Sequence, residues 1–447
     1  MPSPSPVAFI RDSILRSALR SHHRQFTRSF KCTAHTPRPL RIILFGSDEF
    51  SIASLTHLYQ LQRKKPDVIA SIDVGARLPK AAGRGRKDIV EVPLLDVARD
   101  LELPCHEAET DDDFHDLAAQ NYDIAIAVSY GKLIPAYFLR SLPLGGINLH
   151  PSFLPRHSGA APIQWAIYSN DLETGVTVQT LHPTKFDKGR ILIQSEPVSI
   201  DQKSDNFAML RPRLAKVGAR LLDEAVCVLA HVADSVPASA GSGVKEFADR
   251  TEAIVTAFTK YTHTVHLPTA TAPSSHAPKL TKDRLRVDWL ATPAALIART
   301  YRAFGTPLWT NIVMHQKRNP RSITSRRVLL EDVRVLDPAE ELGLAQQDLP
   351  VVPGQYVRMT GGSNINSNGA VLVVRTSDGG LLSVRAVSES YAKKPPKVDS
   401  PVFDRQLYSE VDFVRMESEA EVEKAAMEQR RRLAKENAQA AAAAKTE

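Results

Sequence analysis

The chain has 447 residues, 43% of them hydrophobic, and three cysteines, Cys32, Cys105 and Cys227. That length fits two folded domains with appendages, and three widely spaced cysteines exclude a disulfide framework or a paired-cysteine zinc site. No apolar run reaches the roughly 18–20 residues that span a bilayer, so a soluble protein is expected.

The net charge of +7 is unevenly spread: residues 1–41 hold eight basic residues against one acid, Asp12. Residues 42–281 hold 24 against 28, and residues 282–415 hold 19 against 14. In "FIRDSILRSALRSHHRQF" the apolar Phe9, Ile10, Ile14, Leu15 and Leu19 recur near helical spacing among Arg11, Arg16, Arg20 and Arg24. An amphipathic, Arg- and Ser-rich, acid-poor start has the composition of a mitochondrial transit peptide, here residues 1–39.

Folding is expected to begin at "LRIILFGSDEFSIASLTHLYQL", where an apolar strand ends at Gly46-Ser47-Asp48 and passes into a helical pattern. Strand, tight turn and helix open a doubly wound, largely parallel α/β sheet. Further strands are predicted at 68–74, 123–130, 145–151 and 174–183, with a helix at 91–103 and another near 205–231 closing a domain of residues 40–232. Residues 233–280 are rich in Ala, Ser, Thr and Pro and read as a linker. A helix in "RVDWLATPAALIARTYRAF" and short strands in "RVLLEDVRVL", "GAVLVVRT" and "GLLSVRAV" predict a small β-barrel-like domain over 281–413. From 414 the chain is charged and Ala-rich, a solvated helix or disorder.

The chemistry concentrates in "INLHPSFLPRHSGAAPIQWAI" (147–167). On a strand, Asn148 and His150 project from one face. They sit at the carboxyl end, where open α/β sheets bind ligands. An amide donor beside an acid/base group suits acyl transfer, one stabilising an oxyanion and the other moving a proton. Taken alone, two polar residues at a strand end are more often structural than catalytic. Asp187, at a turn after the next strand, could orient His150 and favour its charged form.

This block, with "DLETGVTVQTL" and "FDKGRIL", closely resembles the formyltransferases that use 10-formyltetrahydrofolate. "LFGSDEFS" (44–51), "AGRGRK" (82–87) and "VSYGKLIP" (128–135) match further blocks in order. The resemblance implies catalytic roles for Asn148, His150 and Asp187 and no metal. It implies a folate wall from Ser152, Phe153, Leu154 and Pro155 with Tyr130, Gly131, Leu133 and Ile134. Within the family it is closest to the branch whose acceptor is initiator methionyl-tRNA. The basic loop with Arg77, Lys80, Arg84, Arg86 and Lys87 is then expected to meet the acceptor stem, and the basic segment beyond 281 to follow the RNA backbone. Mitochondrial matrix and a monomer complete the expectation. Ser158 stands where the family carries a basic residue, and Lys188 and Arg190 reverse the usual charge around the acid. Two other readings remain: formyl transfer to an amino sugar or a nucleotide, and a non-catalytic RNA-binding protein with this fold.

Overall fold

The computed structural model describes residues 37–78, 80–82, 88–236, 243–261, 273–316, 319–336, 350–351, 353, 356–359 and 371–388. The leader through Thr36, the loop residues Arg84, Arg86 and Lys87, and the tail from 414 lie outside the described residues. No helix among the described residues is long and apolar enough to cross a membrane.

Strand β1 (Leu40–Gly46) is buried at every position but Arg41. A strand covered on both faces needs such a continuous apolar run. Helix α1 (Glu49–Lys64) starts at Asp48, whose carboxylate accepts from the Phe50 and Ser51 amides, a cap that contributes about 1 kcal/mol. The chain continues through β2 (Ile69–Ala76), β3 (Lys80–Ala82), β4 (Asp88–Val90), α2 (Pro93–Asp100), β5 (Cys105–Glu107), α3 (Asp111–Ala118) and β6 (Ile124–Val128). There follow α4 (Ala136–Ser141), β7 (Gly146–His150), α5 (Pro162–Tyr168), β8 (Glu173–Thr174), β9 (Thr177–Thr180), β10 (Ile191–Gln194), β11 (Val198–Ser199) and α6 (Phe207–Val232).

The main sheet runs β10-β9-β7-β6-β1-β2-β5. Strands β7, β6, β1, β2 and β5 are parallel, and β9 and β10 add antiparallel. This is the Rossmann-like, largely parallel sheet expected from the sequence. One core packs Leu55 and Leu58 of α1 with Leu214, Leu222 and Leu229 of α6. Each such buried leucine contributes about 1.5–3 kcal/mol. A second core holds Phe45, Phe114, Tyr130 and Phe138. Parallel alignment brings the ends of β1, β6 and β7 to one edge, where the Ser47 hydroxyl donates to the Ser129 carbonyl at 2.5 Å.

The fold takes in residues read as leader. The Arg38 amide donates to the Ala230 carbonyl at 3.0 Å, and its guanidinium pairs at 3.0 Å with Asp123, which is 1% exposed. In the stretch read as linker, helix α7 (Val244–Tyr261) forms, with Ile254 and Phe258 in the first core.

Beyond it, α8 (Ala294–Phe304) precedes β12 (Leu308–Gln316), β13 (Asn319–Leu336), β14 (Tyr356–Met359), β15 (Val371–Arg375) and β16 (Leu381–Ser388). These strands form an antiparallel sheet in the order β12-β13-β16-β15-β14. Its core gathers Val287, Trp289, Ile297, Leu308, Leu330 and Leu382. Ala303 and Phe304 enter the first core instead, and the rings of Phe304 and Tyr168 lie 6.2 Å apart. The two segments are therefore packed together through α5 and α8.

Candidate active site

His150 ends β7, opposite Thr177 of β9, and Asn148 lies opposite Gln179. His150 is 5% exposed. Its Nε2 lies 3.1 Å from the His157 carbonyl oxygen. A carbonyl only accepts, so Nε2 carries the proton, and a neutral ring holds its lone pair on Nδ1. Nδ1 faces Asp187 Oδ1 at 3.5 Å. That is an ion-pair separation, longer than a hydrogen bond. Any change of charge on this ring therefore occurs on the side of Asp187.

Asp187 is held from two directions. Its Oδ2 accepts from the Gly159 amide at 2.7 Å, and its Oδ1 accepts from Gln179 Nε2 at 3.3 Å. Its backbone has φ 51°, a left-handed conformation that aspartate tolerates better than most residues. A Cβ at Gly189 would lie 1.6 Å from the Thr180 carbonyl oxygen, so only glycine lets the turn close against β9. Asn148 is half-buried, and its side-chain amide has no hydrogen-bond partner among the described residues. The structure thus brings Asn148, His150 and Asp187 to one place. Among the described residues no group of three His, Cys, Asp or Glu is arranged to hold a metal ion.

The loop after β7 is closed by its own polar groups. Ser152 is fully buried, and its hydroxyl donates to the Arg156 carbonyl at 2.7 Å. The Leu154 amide donates to Thr177 Oγ1, and Gln194 Nε2 donates to the Leu154 carbonyl. Leu154 is buried, Pro155 is exposed, and the Phe153 ring lies where a Cβ on Gly175 would collide with it at 2.1 Å. His157 has φ 56°, a conformation that costs a non-glycine residue about 1–3 kcal/mol. Asp171 and Ser275 secure it: His157 Nε2 donates to Asp171 Oδ2 at 2.7 Å, and its amide to Ser275 Oγ at 2.9 Å. Burial alone would raise the Asp171 carboxyl. The hydrogen bonds from His157 and Arg156 outweigh it and hold the group below the usual carboxylate range.

The other expected wall residues divide. Tyr130 and Ile134 turn their side chains into the second core, whereas Gly131 and Leu133 are exposed. The Tyr130 hydroxyl donates to the Ala108 carbonyl, and burial raises its pKa above the ordinary phenol value. Among the expected tRNA contacts, Lys80 lies in β3, and Arg77 is committed to a bidentate pair with Glu109 at 2.9 and 3.1 Å. The reversed charge beside Asp187 is answered at the surface, where Arg190 pairs with Glu252 of α7 at 2.6 Å.

Sequence reasoning passed over Gln179, Asp171 and Ser275. Gln179 is 2% exposed, in a strand buried at all four positions. A polar residue there was the available signal, meaningful only once β9 is known to pair with β7. Ser275 offered none.

A family model described as formyl transferase matches residues 40–226. The chain is 29% identical over 338 residues to the mitochondrial methionyl-tRNA formyltransferase of Saccharomyces cerevisiae, covering 68% of this chain and 77% of that one. It is 32% identical over 272 residues to the methionyl-tRNA formyltransferase of Ectopseudomonas mendocina, covering 60% of this chain and 73% of that one. With that of Ehrlichia chaffeensis it is 37% identical over 196 residues, 43% of this chain and 62% of that one. Among solved structures it is similar to a sugar N-formyltransferase from Shewanella at 13% identity and TM-score 0.42, covering 64% of this chain and 95% of that one. The parallel sheet, the motif at its edge and the matched family define a formyltransferase. Within that class, the chain belongs to the methionyl-tRNA formyltransferase family.

Proposed function

We propose that the protein transfers the formyl group of 10-formyltetrahydrofolate to the α-amine of methionine on initiator methionyl-tRNA, in the mitochondrial matrix. The observation that carries this reading is the His150–Asp187 pair at 3.5 Å beside Asn148 on the same strand face. The neutral amine attacks the formyl carbon. Asn148 donates to the developing oxyanion, a preorganised donor contributing about 2.7–4 kcal/mol to the transition state. Protonated His150 adds its positive charge beside it, its two ring nitrogens being turned to the His157 carbonyl and to Asp187. Asp187 supports the imidazolium. The tetrahedral centre collapses as the bond from carbon to the folate nitrogen breaks, and the proton given up by the amine ends on that leaving nitrogen. Ser152–Pro155 and the Tyr130–Ile134 loop form the folate wall, with Phe153, Pro155, Gly131 and Leu133 at its surface and the buried Ser152, Leu154, Tyr130 and Ile134 as its backing.

Acceptor choice rests on the second segment. Its excess of basic residues, 19 against 14 over 282–415, suits an RNA backbone, with the five-stranded sheet as part of a small barrel. The basic loop at 77–87 meets the acceptor stem through Lys80, Arg84, Arg86 and Lys87, with Arg77 anchoring its base. The acidic-poor leader and the yeast relative support mitochondrial import. Formyl transfer from 10-formyltetrahydrofolate, assayed with charged initiator tRNA, uncharged tRNA and free methionine, tests the reading. Formylation of the charged tRNA alone is expected, and equal rates on free methionine would overturn it.

A further inference from the structure

We propose that Ser275, outside the stretch matched to formyl transferases, is a positioning residue for the His150–Asp187 pair. It acts through the turn His157–Gly159. The inference rests on the function proposed above and concerns how that site is held.

Two backbone groups of one short turn address both members of the pair: the His157 carbonyl accepts from His150 Nε2, and the Gly159 amide donates to Asp187 Oδ2. That turn is not self-supporting, since His157 has φ 56° and Gly159 has φ 127°. It is held from outside by residues 275–278. Ser275 Oγ accepts from the His157 amide at 2.9 Å and lies 3.3 Å from His157 Nδ1. Its carbonyl accepts from the Ser158 amide at 3.0 Å, and the Ala277 amide returns a bond to the Ser158 carbonyl at 2.7 Å. Pro278 closes the array by accepting from Trp165 Nε1 at 2.9 Å.

The hydrogen positions follow from these partners. Asp171 is a carboxylate, so His157 Nε2 carries the proton it donates, and the Ser275 hydroxyl, both donor and acceptor, suits Nδ1 in either protonation state of the ring. Ser275 Oγ therefore accepts from the His157 amide and also meets the ring of the same residue at Nδ1. Both the ring and the main chain of His157 are pinned by one side chain 118 residues away. Ser158 exposes its amide and carbonyl to this segment, which explains why a small residue serves at that position. Without Ser275 Oγ the turn loses a restraint on its amide and another on its ring. The His157 carbonyl then no longer selects the Nε2–H form of His150. A displacement of this kind slows chemistry without weakening substrate binding, because the Ser275 hydroxyl reaches the site only through His157. The Ser275 amide, which donates to the Pro155 carbonyl of the folate wall, is kept in Ser275→Ala.

The test is Ser275→Ala in the full chain, with Ser275→Thr as the conservative variant. It is read by kcat and KM for formyl transfer and by the 15N signals of the His150 ring, assigned through their loss in His150→Gln. Ser275→Ala should lower kcat about 10-fold with KM for both substrates within about twofold. Its His150 nitrogens should move from the Nε2–H pattern toward a tautomer mixture, and Ser275→Thr should recover most of both effects. Parental kcat with a parental 15N pattern in Ser275→Ala would overturn the inference, as would a lowered Tm with parental kcat per folded molecule. A parent enzyme that transfers no formyl group would instead defeat the proposed function, while the 15N comparison would still decide the role of Ser275.

Discussion

The amide of Gly159 donates to Asp187 Oδ2 at 2.7 Å, across 28 residues of sequence. A Cβ on Gly159 would approach the Ala277 carbonyl oxygen to 2.6 Å, at a φ of 127°. Gly159→Ala therefore forces the turn away from Asp187 on one side and from Ala277 on the other. It should destabilise the fold by more than the roughly 1 kcal/mol that the same change gains where alanine fits the backbone, and so lower Tm, and it should lower kcat in the folded fraction. Thermal melts beside single-turnover kinetics check both, and an unchanged Tm contradicts the assigned strain.

Acid should act on the fold through Asp171. Its folded pKa lies below the unfolded value of about 3.9, so the stabilisation is complete above that pH and is lost as pH falls through the lower folded value. Asp171→Asn removes the effect. The Tm gap between parent and variant should be constant from neutral pH down to about 4 and then close. Melts across this range measure it, and a gap that persists at the acid end would refute the linkage.

Much of the site was legible because its signals are local. The apolar run ending at Gly46 and the alternation Ile147, Asn148, Leu149, His150 each specify a strand and the face of its side chains. What the sequence hid depends on where distant segments return. Ser275 sits in a stretch with the composition of a linker, and only the tertiary fold lays it along Ser158. Tyr130 matches a motif position, but its ring turns toward Phe45 at 5.3 Å rather than outward, because a motif locates a residue without specifying its rotamer. Arg38 looked like leader until the buried carboxylate of Asp123 gave its charge a partner.

Import should depend on the leader and stability on its last residues. Removing residues 1–36 should leave the protein in the cytosol with parental Tm and activity in vitro. Removing residues 1–39 should also abolish import but lower Tm, because Asp123, paired among the described residues with Arg38 and Arg41, loses the first of them. Fractionation and melts of both truncations test this, and mitochondrial entry by either would contradict the leader assignment.

Salt should separate the two substrates. Phosphate contacts by the basic segment make tRNA binding weaken steeply between about 50 and 200 mM salt. KM for charged tRNA should rise over this range while KM for the folate stays nearly flat. A tRNA KM indifferent to salt would contradict the role given to residues beyond 281.

The central claim is that Asn148, His150 and Asp187 carry out the transfer rather than hold a strand end together. The most direct measurement is turnover of charged initiator tRNA by Asn148→Ala, His150→Ala and Asp187→Asn, with Tm recorded on the same samples. Asn148→Ala and His150→Ala should lose about 100-fold or more in kcat. Asp187→Asn should also lose activity, and all three should melt close to the parent. Lowered Tm with near-parental turnover in the folded fraction would contradict the account.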